Sequence, residues 1–149
     1  HAERRTVEAC RYYAGLIWAA INGISKATLL QAGFSPQPTT DEPYPWHPDI
    51  HAVIQGSFKD KQPPDIRGTG FVVQSLEAAL WAFYRSDDFE TGALLAANLG
   101  DDADTTAAIY GQLAGSYYGY SGIPDHWKTR LHDHDAIVRL TDRLIIGME

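Results

Sequence analysis

Apolar residues at the start of the chain recur every three or four positions. Val7, Cys10, Ala14, Ile17, Trp18 and Ile21 share one helical face, the period of a stripe buried against a core. Gly23 ends this helix, and Ser25 is placed to cap a short second one running through Gln31 and closed by Gly33. Between Phe34 and Pro48 stand Pro36, Pro38, Pro43, Pro45 and Pro48, which neither a helix interior nor a central strand tolerates. This stretch reads as an ordered loop pinned by Trp46. A short helix from Pro48 to Gln55 follows, with proline at its favoured first position.

A second loop, Gly56 to Gly70, contains Pro63-Pro64 and Gly68-Thr69-Gly70. The spacing of Val72, Leu76, Ala79, Leu80 and Phe83 predicts a helix over Phe71 to Tyr84. Asp87 and Glu90 have capping-box spacing for the next helix, which points Phe89, Ala93 and Ala97 one way and stops at Gly100. Another helix starts near Asp104 and runs to about Tyr118. Its small residues Ala107, Gly111, Ala114 and Gly115, with Tyr118, predict a close helix neighbour. After Gly122, Pro124 opens a helix with Trp127 and Leu131, and a last helix carries Ile137, Leu140, Leu144 and Ile145. No run alternates with a period of two and no segment repeats, so the class is all-α.

The chain has 149 residues, 44% of them hydrophobic and 11% aromatic, enough for one core. Twelve Lys and Arg against 19 Asp and Glu give a net charge of −7, which excludes non-specific nucleic-acid binding, since that needs a cationic surface. No apolar run approaches the roughly 20 residues of a membrane span, and no signal-peptide pattern is visible. One cysteine, Cys10, leaves no internal disulfide framework and makes a cytoplasmic setting the default. It is expected to be a buried small hydrophobe. The chain opens on His1 and its only methionine is Met148, which suggests a processed product or a fragment.

The candidate chemistry lies at one helix junction. Asp101, Asp102 and Asp104 fall within four positions, followed by Thr105 and Thr106. Helix capping explains one such side chain, while three like charges side by side call for a compensating cation. Two carboxylates and a hydroxyl converging from one turn, with only Ala103 between them, suit Mg²⁺ or Mn²⁺. Spacing alone leaves both readings open.

The run Asn98-Leu99-Gly100-Asp101-Asp102-Ala103-Asp104-Thr105 and its continuation to Gly115 resemble the second metal motif of the ADP-ribosylglycohydrolase family. Gly70-Phe71-Val72-Val73 and Leu76-Glu77-Ala78-Ala79-Leu80-Trp81 are similar to an upstream family element, and Tyr118-Gly119, Ile123-Pro124 and Trp127 to a downstream one. The resemblance implies an orthogonal helical bundle, a two-metal centre of Mg²⁺ or Mn²⁺, and Asp102, Asp104 and Thr105 as metal ligands. Asp101 stands where glycine is common, Ala107 where glycine is frequent, and Phe71 where tyrosine is frequent. Gly70 and Phe71 fall in a ligand-proximal element, and His1 resembles a histidine near the ligand, so all three are expected to bind substrate.

The family's other metal motif, of Thr-Asp-Asp-Thr type, has no counterpart here; Thr39-Thr40-Asp41-Glu42 lies in the proline-rich loop. Residues 1–149 are therefore expected to be the C-terminal half of a single domain, beginning just past its middle, with the general base in the absent half. The implied activity is hydrolysis of the glycosidic bond joining ADP-ribose to an acceptor: an arginine or serine side chain, a nucleic-acid end or a small molecule. The chain alone is expected to be inactive, and to associate with the complementary half or with itself. The alternatives are a catalytically inactive ADP-ribose binder or structural relative, and one half of a split enzyme.

Other candidates are weaker. His132-Asp133-His134-Asp135 lacks further ligands at zinc spacing and reads as a solvated turn. His47 and His51 suit loop packing, and Trp18, Trp81 and Trp127 suit the core. Trp46 is placed to border the ligand cleft.

Overall fold

The computed structural model describes residues 3–36 and 45–147. Eight α-helices follow in order: α1 (Arg4–Ile21), α2 (Lys26–Leu29), α3 (Pro48–Ile54), α4 (Val72–Tyr84), α5 (Phe89–Ala97), α6 (Ala103–Tyr118), α7 (Asp125–Lys128) and α8 (His134–Ile146), with a 3₁₀ turn at Tyr120–Gly122. No strand occurs among the described residues, and the all-α expectation holds.

Helix α4 is the axis of the core. Leu76, Ala78, Ala79, Leu80, Ala82 and Phe83 are all buried, so the helix is covered on every side rather than along one stripe, as an apolar-all-round sequence requires. Its one buried carboxylate, Glu77, accepts from Lys61 Nζ at 2.8 Å and from the Ser57 hydroxyl, while Trp81 Nε1 donates to the Lys61 carbonyl at 3.2 Å. The loop after α3 is thereby tied to the core. Trp81 is core, as expected.

Helices α5 and α6 pack against α4 and each other. The approach is close at Gly92, where an added Cβ would run into Tyr110 Oη and Ser86 Oγ. Tyr110 Oη donates to the Phe89 carbonyl at 3.0 Å, and burial pushes its pKa up to about 12. The close neighbour expected along Gly111 and Gly115 is not found among the described residues, where a Cβ at either glycine would meet nothing within 4 Å. Their face of α6 is open, and Ala114 alone of the four small residues is fully buried.

Helix α1 buries the opposite face from the one its pattern suggests. Ala9, Tyr12, Leu16, Ala19 and Ala20 face the core, whereas Val7, Trp18 and Ile21 are 49%, 62% and 68% exposed. Cys10 is exposed too. Both faces repeat at three and four residues, so periodicity alone does not choose between them. The buried face also contains Glu8, whose Oε1 takes Arg4 Nε at 2.6 Å and whose Oε2 takes the His47 amide at 2.6 Å. Trp46 packs edge-on to Tyr12, ring centroids 6.3 Å apart. Tyr13 ties α1 to α6, donating to the Ile109 carbonyl and accepting the Leu113 amide at 3.1 Å.

At the other end, Ile137, Leu140 and Leu144 of α8 are exposed rather than packed, and Leu131 with them; Trp127 is half-buried. His132 and His134 each pair with the aspartate that follows them, at 3.3 and 3.1 Å, as a solvated turn would.

Candidate metal centre

The junction between α5 and α6 is built by two left-handed residues. Asn98 closes α5, then Gly100 and Asp101 take φ of 74° and 52°. Glycine adopts this region freely, aspartate at some cost. The turn sends Asp101 outward, where its Oδ2 pairs with Arg67 Nη2 at 3.1 Å. The three aspartates therefore do not converge, and the like-charge argument from sequence applies to two of them only.

Asp102 occupies the N-cap position of α6, yet its side chain makes no capping hydrogen bond. Two residues on, in the first turn of the same helix, stands the Asp104 carboxylate. The Thr105 amide, which donates to Asp104 Oδ1 at 2.8 Å, and then Asp102 hold the Asp104 carboxyl below the ordinary carboxylate range. Thr105 is exposed beside them.

The floor of this cluster is the glycine loop. The Asp102 amide donates to the Gly68 carbonyl at 2.7 Å. Gly68 itself lies against buried Thr106, where an added Cβ would be 2.5 Å from Thr106 Oγ1. Gly70 lies against the carboxylate, with its Cβ position 3.4 Å from Asp102 Oδ2. Thr69 Oγ1 accepts the Phe71 amide at 3.2 Å and donates to Gln74 at 2.6 Å, folding the loop into the start of α4. Gly70, Phe71, Asp102, Asp104 and Thr105 are thus brought to one surface. His1 and Thr39-Thr40-Asp41-Glu42 lie outside the described residues.

The donor set fits a hard divalent cation in part. Two carboxylates and a hydroxyl are the oxygen donors that Mg²⁺ and Mn²⁺ prefer, and a carboxylate at an N-cap that caps nothing is free to bind one. Among the described residues no group of three or more His, Cys, Asp and Glu has metal-binding placement.

The family model for ADP-ribosylglycohydrolase matches residues 1–149. The chain belongs to the ADP-ribosylglycohydrolase family. It is 38% identical over 144 residues to an ADP-ribosylarginine hydrolase, Tri1, of Serratia proteamaculans, covering 97% of this chain and 37% of that protein. The same hydrolase of Pseudomonas putida is 38% identical, with 97% and 36% covered. The ADP-ribosyl-[dinitrogen reductase] glycohydrolase of Rhodospirillum rubrum is 34% identical over 65 residues, 44% of this chain and 22% of that one. A solved chain described as an ADP-ribosylglycohydrolase-related protein complex superimposes with a TM-score of 0.79 at 40% identity, over 91% of this chain and 45% of its own. The chain thus spans little more than a third of the curated hydrolases that it matches along its length, and carries the ADP-ribosylglycohydrolase fold over that span.

Two contributors escaped sequence reasoning. Arg67, which draws Asp101 aside, and Arg5, which lies over the Phe71 ring at 5.1 Å from its centroid, have no spacing signal linking them to the site.

Proposed function

We propose that this chain is part of a metal-dependent hydrolase that cleaves the glycosidic bond between ADP-ribose and an acceptor, an ADP-ribosylated arginine first among them. The observation that carries this reading is the pair Asp102 and Asp104 at the start of α6, where the Asp102 carboxylate makes no capping hydrogen bond and lies beside Gly70 of the glycine loop. Arginine is favoured because two relatives named for that acceptor match 97% of this chain; serine, a nucleic-acid end or a small ADP-ribose conjugate are the other acceptors in view. Asp102, Asp104 and Thr105 would hold Mg²⁺ or Mn²⁺. A bound pair of such cations supplies Lewis acidity and a template for an attacking water.

The chain's own residues do the rest of the work on this side. Gly70 keeps the loop backbone low beside Asp102, leaving room for a ligand, and Phe71 offers a ring to its apolar face. His1 remains proposed as a ligand contact. The general base and the remaining carboxylates would come from a complementary polypeptide. The exposed stripe of Val7, Trp18 and Ile21 on α1 supports such an association, since large apolar side chains aligned on one helix face are an interaction surface. A binding or structural relative is the alternative; the full set Asp102, Asp104 and Thr105 favours the enzyme.

Electron paramagnetic resonance of Mn²⁺ titrated into the protein tests the centre. The expected result is bound Mn²⁺ in the wild type and affinity at least about ten-fold weaker in Asp102→Asn and Asp104→Asn. Equal Mn²⁺ uptake by all three would sink the metal assignment. Release of ADP-ribose from ADP-ribosylarginine, with and without the complementary segment supplied, then tests the reaction.

A further inference from the structure

The start of α1, the first turn of α3 and the start of α4 meet around the Arg5 side chain. Phe71 stands at the N-cap of α4, directly after Gly70, and the residue is 40% exposed. Arg5, in the first turn of α1, crosses to this ring rather than lying along its own helix, with its guanidinium 5.1 Å from the ring centroid. That guanidinium is braced from behind: Arg5 Nε donates to Glu3 Oε1 at 2.8 Å, and Nη1 lies 3.6 Å from Asp49 Oδ2. Glu3 is itself fixed, because its Oε2 accepts the Thr6 amide at 3.1 Å as the N-cap of α1. A guanidinium over a ring face is attracted by the ring's quadrupole, and here it is preset by two carboxylates.

We propose that Arg5 is a positioning residue of the candidate site. It fixes the angle of the Phe71 ring, and the ring surface it leaves uncovered receives the apolar face of the ribose or base of a ligand held at Asp102 and Asp104. Arg5 touches Phe71 and acts through it. The proposal rests on the ADP-ribose reading of the site and adds a residue to it that no motif contains.

The test is a double-mutant cycle on ligand binding. ADP-ribose is titrated, with Mn²⁺ and the complementary segment present, into the wild type, Arg5→Gln, Arg5→Lys, Phe71→Ala and the Arg5→Gln/Phe71→Ala double variant, each with a thermal melt. Arg5→Gln is expected to weaken ADP-ribose about two- to five-fold and Arg5→Lys to recover most of that loss. In the Phe71→Ala background Arg5→Gln should add nothing, the non-additivity of two residues acting as one. No loss in Arg5→Gln, or the same loss in both backgrounds, overturns the proposal and leaves the ADP-ribose reading intact. A wild type that takes up no ADP-ribose overturns that reading, and the proposal with it. Should Arg5→Gln not fold, Arg5→Met in the two Phe71 backgrounds decides by the same criterion.

Discussion

Asp101 and Asp102 are adjacent and chemically identical, and the backbone separates their fates. The φ of 52° at Asp101 turns its carboxylate to Arg67, whereas the Asp102 amide is bonded to the Gly68 carbonyl and its carboxylate lies beside Gly70. Asp101→Gly should leave Mn²⁺ affinity unchanged. It relieves a left-handed aspartate and removes an exposed ion pair worth at most about 1 kcal/mol, so its melting temperature should match or exceed the wild type's; a loss of Mn²⁺ comparable to that of Asp102→Asn would contradict this assignment. The glycine loop gives a second contrast. Gly68→Ala drives a methyl into Thr106 and should cost about 1–3 kcal/mol, while Gly70→Ala meets Asp102 at an ordinary contact distance and should fold normally; chemical denaturation of the two variants tests the difference. At this scale Asp102, Asp104 and Thr105 were legible, because ligands close in sequence leave a dense motif. Arg5 and Arg67 were not, because each reaches its partner across the fold from a distant segment.

Most helix boundaries were legible to within a residue or two, but α5 ends at Ala97, three residues before Gly100, and α7 at Lys128, three before Leu131; the caps were less legible. The expected capping box begins at Asp87, but Asp88 is the N-cap of α5 and its Oδ1 accepts the Thr91 amide at 2.7 Å. Asp88→Ala should cost about 1 kcal/mol and Asp87→Ala much less, read from urea midpoints. The Thr91 amide and hydroxyl hold the Asp88 carboxyl below its ordinary value of 3.8. Its contribution is therefore present above that value and lost as pH falls through the lowered one. The opposite limb belongs to α6. Burial pushes Tyr110 and Tyr118 up to about 12 from 10.0. Their contribution is full below pH 10 and lost as pH rises through 12, so circular dichroism should show alkaline unfolding in that window, and a helix signal flat to pH 12 would refute it. Face selection was the least legible property of the elements. On α1 two stripes compete, and the winner contains a buried glutamate that a hydrophobic pattern discounts but Arg4 and the His47 amide satisfy.

For the whole molecule, the all-α class followed from the pattern, whereas the central place of α4 and the location of the exposed apolar faces did not. Val7, Trp18 and Ile21 on α1, and Ile137, Leu140 and Leu144 on α8, are all about half exposed or more, and the three on α1 share one helix face. Replacing Val7, Trp18 and Ile21 with polar residues should change stability by less than about 1 kcal/mol while reducing concentration-dependent association in sedimentation velocity; a collapse of the melting temperature would mean that the stripe is core after all. The loop at Gly68 and the junction at Asp102 come from segments far apart in the chain and share one short backbone bond. That bond makes the Asp102 amide a clock. Its exchange with deuterated solvent requires the glycine loop to lift from α6, so its rate counts how often the candidate site comes apart. A ligand or cation that clamps the loop onto α6 would slow that count without altering any distance in the resting fold.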